Sequence, residues 1–124
     1  EAELRKKEEL YRALAHNFPN GAVHIFDHDL RYLLSDGTEM SKVGLSQEQL
    51  EGHLLWEVVP SETSAVLEPL YRAALSGETT ISELAFAGGI YQIYTLPLRD
   101  QQGEIFAGLS MSQNVTMLKQ AEQT

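Results

Sequence analysis

The 124-residue sequence contains no cysteine. That absence removes disulfides, thiol nucleophiles and every cysteine-based metal site, and it fits a reducing compartment. Basic residues are scarce: nine Lys and Arg stand against 18 Asp and Glu, a formal charge of -9. Such a field repels phosphate backbones and anionic bilayers, so no nucleic-acid partner is expected. No apolar run approaches the roughly 20 residues that cross a bilayer, and the charged start Glu1–Glu9 does not read as a secretory signal. No membrane insertion by these residues and a cytoplasmic location are the expectations. Catalytic signatures are missing as well. There is no glycine-rich phosphate loop, no Gly-X-Ser-X-Gly elbow and no acidic cluster at metal spacing, so these residues are not expected to form an enzyme.

What remains is an ordinary globular composition, 43% apolar, in a length that suits one domain. From Glu3 to Asn17, Leu4, Leu10, Tyr11, Leu14 and Phe18 recur at helical spacing, and the run to Gly21 through Pro19 supplies a stop. Ala22 to Asp27 alternates as a strand, Asp27-His28-Asp29 makes a turn, and Leu30 to Ser35 reads as the second arm of a hairpin. Thr38 to Val43 reads as a short helical turn. Ser46 and Gln49 have capping-box spacing, opening a short helix that ends at Gly52. Ser61 is an N-cap candidate for a longer helix whose apolar face is Val66, Leu67, Leu70, Tyr71 and Ala74, closed by Gly77. Pro69 predicts either a kink near Ala65 or a restart at Glu68.

Thr79 to Ala87, Ile90 to Arg99 and Glu104 to Gln113 read as a three-stranded meander, with Pro97 expected at a bulge or on a non-bonding side. Val115, Leu118 and Ala121 then have helical spacing. A helix of about ten residues is marginal alone, so this end reads as the first turns of a longer connector. Because the first residue is Glu and both ends read as interrupted helices, the sequence is expected to be a piece of a longer protein. The organisation is therefore an amphipathic N-terminal helix over 1–18, a core over 19–113 and the start of an outgoing helix over 114–124. It predicts an α+β fold, a five-stranded antiparallel sheet with helices packed on one face and flanked by the terminal helices.

Three local patterns carry a family resemblance. The run from Gly44 to Gly52, followed by Trp56-Glu57-Val58-Val59-Pro60, is similar to the central helical segment of bacterial PAS domains of the sensory-box type. Leu96 to Ile105, with Gly103 in the turn, looks like the final hairpin of that family. Asn114-Val115-Thr116 stands where many members have an Asp-X-Thr signature that caps the outgoing signalling helix. The chain thus resembles the PAS family over essentially its whole length. The resemblance implies a sensor and signal-transduction module of a larger protein, foremost a two-component histidine kinase. It would relay ligand or partner state through terminal helices, a homodimer and a covalently linked output domain. The alternatives are the PAS domain of a diguanylate cyclase, a ligand-free dimerisation scaffold, and a small-ligand-binding cone fold related to nuclear-transport and ketosteroid-isomerase proteins.

The resemblance places a cavity between the sheet and the central helices, with Trp56, Tyr71, Tyr91, Tyr94 and His53 as candidate ligand contacts. Arg99, Asn114 and Thr116 are the candidate relay, Arg99 being the basic partner of the residue at 114. A covalent flavin adduct needs a cysteine that is absent. A haem ligand is expected on the longer central helix, yet Ser61 to Ser76 holds no histidine. No cofactor is expected, flavin and haem are disfavoured, and a noncovalent small molecule is the ligand class left open. His24 and His28 flank a turn beside Asp27 and Asp29, but no further histidine or cysteine completes a metal set, so no metal is expected. His24 reads as a strand residue with a hydrogen-bond partner, and His28 as a solvated turn residue. Trp56 reads first as a core anchor.

Overall fold

The computed structural model describes residues 2–123; residue 1 of the expected N-terminal helix and residue 124 of the expected outgoing helix lie outside them. Helix α1 (Ala2–His16) leads into a hairpin of β1 (Gly21–Phe26) and β2 (Tyr32–Asp36). Three short helices follow, α2 (Thr38–Lys42), α3 (Gln47–Leu50) and α4 (Leu55–Val58), and then the long α5 (Ser61–Leu75). The meander β3 (Thr80–Phe86), β4 (Gly89–Arg99) and β5 (Ile105–Asn114) runs into α6 (Thr116–Glu122). All pairings are antiparallel, in the order β2-β1-β5-β4-β3. The first and last strands therefore meet at the centre of the sheet.

Local chemistry explains most element boundaries. Ser46 caps α3 in the expected box, its hydroxyl accepting from Gln49 N while Ser46 N donates to the Gln49 side chain. Helix α5 runs through Pro69 without a restart, and its N-cap is Pro60 rather than Ser61. Pro97 pairs with Gly108 one residue before the register shift at Leu98/Arg99. Strand β3 pairs only as far as Thr95, so Pro97 needs a ladder partner on one side alone. The hairpin arm expected from Leu30 begins instead at Tyr32. Leu30 lies in the turn at φ 65°, completely buried, with its N–H on the Asp27 carbonyl and its own carbonyl accepting from Leu55.

Packing forms one core between the inner face of the sheet and α2 to α5. Phe26, Leu30, Leu50, Leu55 and Ala74 are completely or almost completely buried there. Phe26 stacks on Tyr71 with ring centroids 4.1 Å apart, and at Gly108 an added Cβ would lie 2.3 Å from that Phe26 ring. Trp56, expected to anchor the core, is 48% exposed on α4, because Leu55 takes the inward position. Helix α1 buries only Ala15 and leaves Leu4, Leu10, Tyr11 and Leu14 exposed. Its inner side is polar: Arg12 makes two hydrogen bonds to Glu51, 3.0 and 3.1 Å, and His16 Nδ1 lies 3.0 Å from Asp36. Among the described residues no helix is long and apolar enough to cross a membrane.

Candidate functional site

Inward-facing residues of the strands, opposed by α2, α3 and α5, line a partly open cavity of about 80 Å³. Its wall is mostly apolar, with Met40, Leu50, Leu67 and Ile93 among the contributors, and it carries a few polar groups: His24, Glu39, Tyr71, Tyr91, Ser110 and Ser112. Alternation along β4 turns Tyr91, Ile93 and Thr95 inward and leaves Tyr94 out of phase, where its hydroxyl donates to Gln92. Of the candidate contacts, Tyr71 and Tyr91 line the cavity; Tyr94, Trp56 and His53 do not. His53 is an exposed residue whose Nδ1 lies 4.0 Å from Glu57.

Three buried tyrosines, Tyr32, Tyr71 and Tyr91, have hydrogen-bonded hydroxyls. The Tyr32 and Tyr71 hydroxyls are 3.0 Å apart, and burial pushes both phenols up from their ordinary range. His24 Nδ1 is 2.8 Å from Ser35 Oγ, and its ring also lines the cavity. Burial without a charged partner lowers the imidazole to about 4, so the ring is neutral at physiological pH. His28 is exposed in its turn, with Nε2 3.0 Å from the Ile105 carbonyl. Among the described residues no group of three or more His, Asp and Glu side chains is placed to hold a metal ion.

Glu39 is the residue that sequence reasoning missed. It sits on α2 yet is only 3% exposed. Oε1 accepts from Tyr91 Oη at 3.1 Å and Asn114 Nδ2 at 3.0 Å, and Oε2 faces Lys42 Nζ at 3.1 Å. Burial alone would raise this carboxyl, but the bonds from Asn114, Lys42 and Tyr91 outweigh it and hold the group below its ordinary value. Burial and the contact with Glu39 together push Tyr91 up to about 12.

Asn114 carries this cavity group onward. Its Oδ1 accepts from Thr116 N at 3.0 Å and Thr116 Oγ1 at 2.6 Å, and Thr116 Oγ1 in turn accepts from Ile90 N at 2.9 Å. The N-cap of α6 is Val115, without a side-chain cap bond, so residue 114 does not cap the helix as the family signature implies; it ties the first residue of α6 to the cavity wall through one amide side chain. Arg99 takes no part: it lies at the opposite end of the β4–β5 hairpin and donates to the Gly103 carbonyl. A partner for residue 114 was expected on the last hairpin and is found on α2.

Both terminal helices meet the sheet beside this cluster. Gly21 at the start of β1 pairs with Gln113 near the end of β5, Asn114 N donates to Asn20 O, and Gln113 Nε2 donates to Pro19 O. Gly37, at φ 136°, lets the start of α2 approach the same point; a Cβ there would lie 2.3 Å from Gly21 O. Farther along α6, Lys119 Nζ pairs with Glu83 of β3 at 2.7 Å.

A family profile described as the PAS fold matches residues 19–120. Among solved structures, a sensory box sensor histidine kinase from Vibrio cholerae is 19% identical with a TM-score of 0.65, covering 93% of this chain and 96% of that one. The PAS domain of BvgS from Bordetella pertussis is 17% identical with a TM-score of 0.65, over 98% of this chain and 95% of that one. VqmA of Vibrio cholerae, solved as a complex with ligand and DNA, is 16% identical with a TM-score of 0.68, over 89% of this chain and 50% of that one. No curated protein matches the chain.

Proposed function

The chain belongs to the PAS family, and on that premise we propose that it is the sensory and dimerising module of a larger cytoplasmic signalling protein, most simply a sensor histidine kinase. Occupancy of the cavity, or a bound partner, alters the Glu39 cluster, and the terminal helices carry the change to a covalently linked output domain. The observation that carries this reading is the continuous path from cavity wall to α6, Tyr91–Glu39–Asn114–Thr116. The histidine-kinase output is favoured by solved neighbours that are themselves sensor histidine kinase domains. No catalytic step is assigned to these residues.

Cavity size supports a small noncovalent ligand over flavin or haem. At about 80 Å³ the space is far below the roughly 300–1,000 Å³ of sites for drug-sized molecules. An apolar cavity of about 150 Å³ holds the six non-hydrogen atoms of benzene, so by proportion this space encloses about three, with any further atoms at its opening. At a ceiling of about 1.5 kcal/mol per enclosed atom, such a ligand binds in about the sub-millimolar range. That range suits a sensor of an abundant metabolite. The scaffold reading draws on a different observation, the exposed apolar stripe of α1, and it is compatible with an empty cavity.

Asn114→Ala tests the relay. Losing the bonds to Glu39 and Thr116 costs about 1–3 kcal/mol, which leaves a domain of ordinary stability folded, and it breaks the path that carries an allosteric coupling typically of about 1–3 kcal/mol. In the full-length protein, output is therefore expected to lose its dependence on the signal while the domain remains folded by circular dichroism. Unchanged output and unchanged signal dependence would sink the relay.

A further inference from the structure

The cavity wall has a pronounced charge asymmetry. Glu39 presents a carboxylate to it, and among the described residues no lysine or arginine lines it. The ammonium of Lys42 meets Glu39 from the outside, on a side chain that is 63% exposed. The other ionisable ring in the wall, His24, is neutral, so it offers an incoming anion no positive charge. A carboxylate has about four acceptor positions, of which Tyr91, Asn114 and Lys42 occupy three. His24 is a further polar residue in the wall, with Nδ1 2.8 Å from Ser35 Oγ.

We propose that the cavity selects small neutral molecules that join an apolar body to a hydrogen-bond donor, and that it rejects carboxylates because Glu39 faces them with no cation in the wall. This rests on the sensor reading above and names the chemistry of its ligand. The donor fills the remaining acceptor position on Glu39, and the apolar body lies against Met40, Leu67 and Ile93. A ligand donor at that position shares the Glu39 carboxylate with the amide of Asn114, so the group that recognises the ligand is also the group that holds α6. Anions meet the opposite situation: they lose their hydration and gain a like charge.

Propionamide and propionate have the same shape and differ in charge at neutral pH, so they isolate the feature. In ¹H–¹⁵N NMR titrations of the chain, propionamide is expected to shift the amides of His24, Ile93 and Ser110 along saturable curves. Propionate is expected to bind at least about tenfold more weakly. Glu39→Gln should narrow that gap, and Lys42→Met, which removes the ammonium facing Glu39, should widen it, with the fold of each variant checked by circular dichroism. Equal or tighter binding of propionate to the unmodified chain overturns the proposal while leaving a ligand-binding cavity in place. A gap that neither variant moves also overturns it, since the selectivity would not come from Glu39. If neither molecule shifts any cavity amide, the ligand reading itself fails and this inference fails with it.

Discussion

His24 stands with one ring nitrogen on Ser35 and the ring edge toward the cavity, so a proton added there has no counter-charge. Its folded-state value of about 4 lies below the 6.5 of a free imidazole. The unfolded chain therefore binds more protons than the folded one between those two values, and acid favours unfolding. The contribution is complete above the unfolded value and declines as the pH falls toward 4. From the linkage relation, stability drops by about 2 kcal/mol between neutral pH and pH 5 on account of this one residue. Denaturant unfolding of His24→Asn should show a flatter pH profile over that window than the unmodified chain. Glu39 adds its own loss only farther down, because its carboxyl is held below the ordinary value. Parallel profiles for the two proteins would mean that His24 is not buried as a neutral ring.

Helices α2 and α6 are joined by a single amide, and this gives a reason for asparagine where the family signature has aspartate. Asn114 must donate to Glu39 and accept from Thr116 at once, through Nδ2 and Oδ1. Aspartate keeps the acceptor, loses the donor, and sets a second carboxylate where Nδ2 now lies 3.0 Å from Glu39. Asn114→Asp is therefore expected to destabilise the domain by about 1–3 kcal/mol at neutral pH, although it restores the family residue. The penalty should shrink on acidification, because a close pair of carboxylates shares a proton at raised pH. Urea unfolding at neutral and mildly acidic pH measures both effects; a variant as stable as the parent at neutral pH would refute the account. The sequence carried the departure at 114 but not its cause. Elements governed by neighbours in the chain were legible: the capping box at Ser46, the meander and the amphipathic α1 follow from spacings of a few residues. Glu39 carried no local signal because its burial depends on Tyr91 and Asn114, 52 and 75 positions away. Leu30 was misassigned for a related reason. Its left-handed backbone is held by burial and by a hydrogen bond from Leu55, which strand propensity does not contain.

The molecule brings its two terminal helices to one end of the central strand pair, where Gly21 pairs with Gln113 and Asn114 N donates to Asn20 O. Helix α1 is fastened by polar side chains, through Arg12 to Glu51 and His16 to Asp36, and its apolar stripe faces away from the core. Tyr11 and Leu14 lie at 59% and 66% exposure, three residues apart on one face. A stripe of this kind on a helix held by polar contacts suits a second copy of the same helix across a two-fold axis. Charge placed on the stripe then separates dimerisation from folding. Tyr11→Glu combined with Leu14→Glu should change monomer stability by no more than about 0.5 kcal/mol per site, as at other exposed positions. The same pair should weaken self-association by at least tenfold, about 1.4 kcal/mol, because each charge would have to be desolvated in the helix interface. Sedimentation velocity over a range of concentrations reads the second effect and thermal unfolding the first. An unmodified chain that stays monomeric at every concentration, or a double variant that associates as before, would remove α1 from the dimer interface. Transmission would then rest on the Glu39–Asn114–Thr116 path within one protomer.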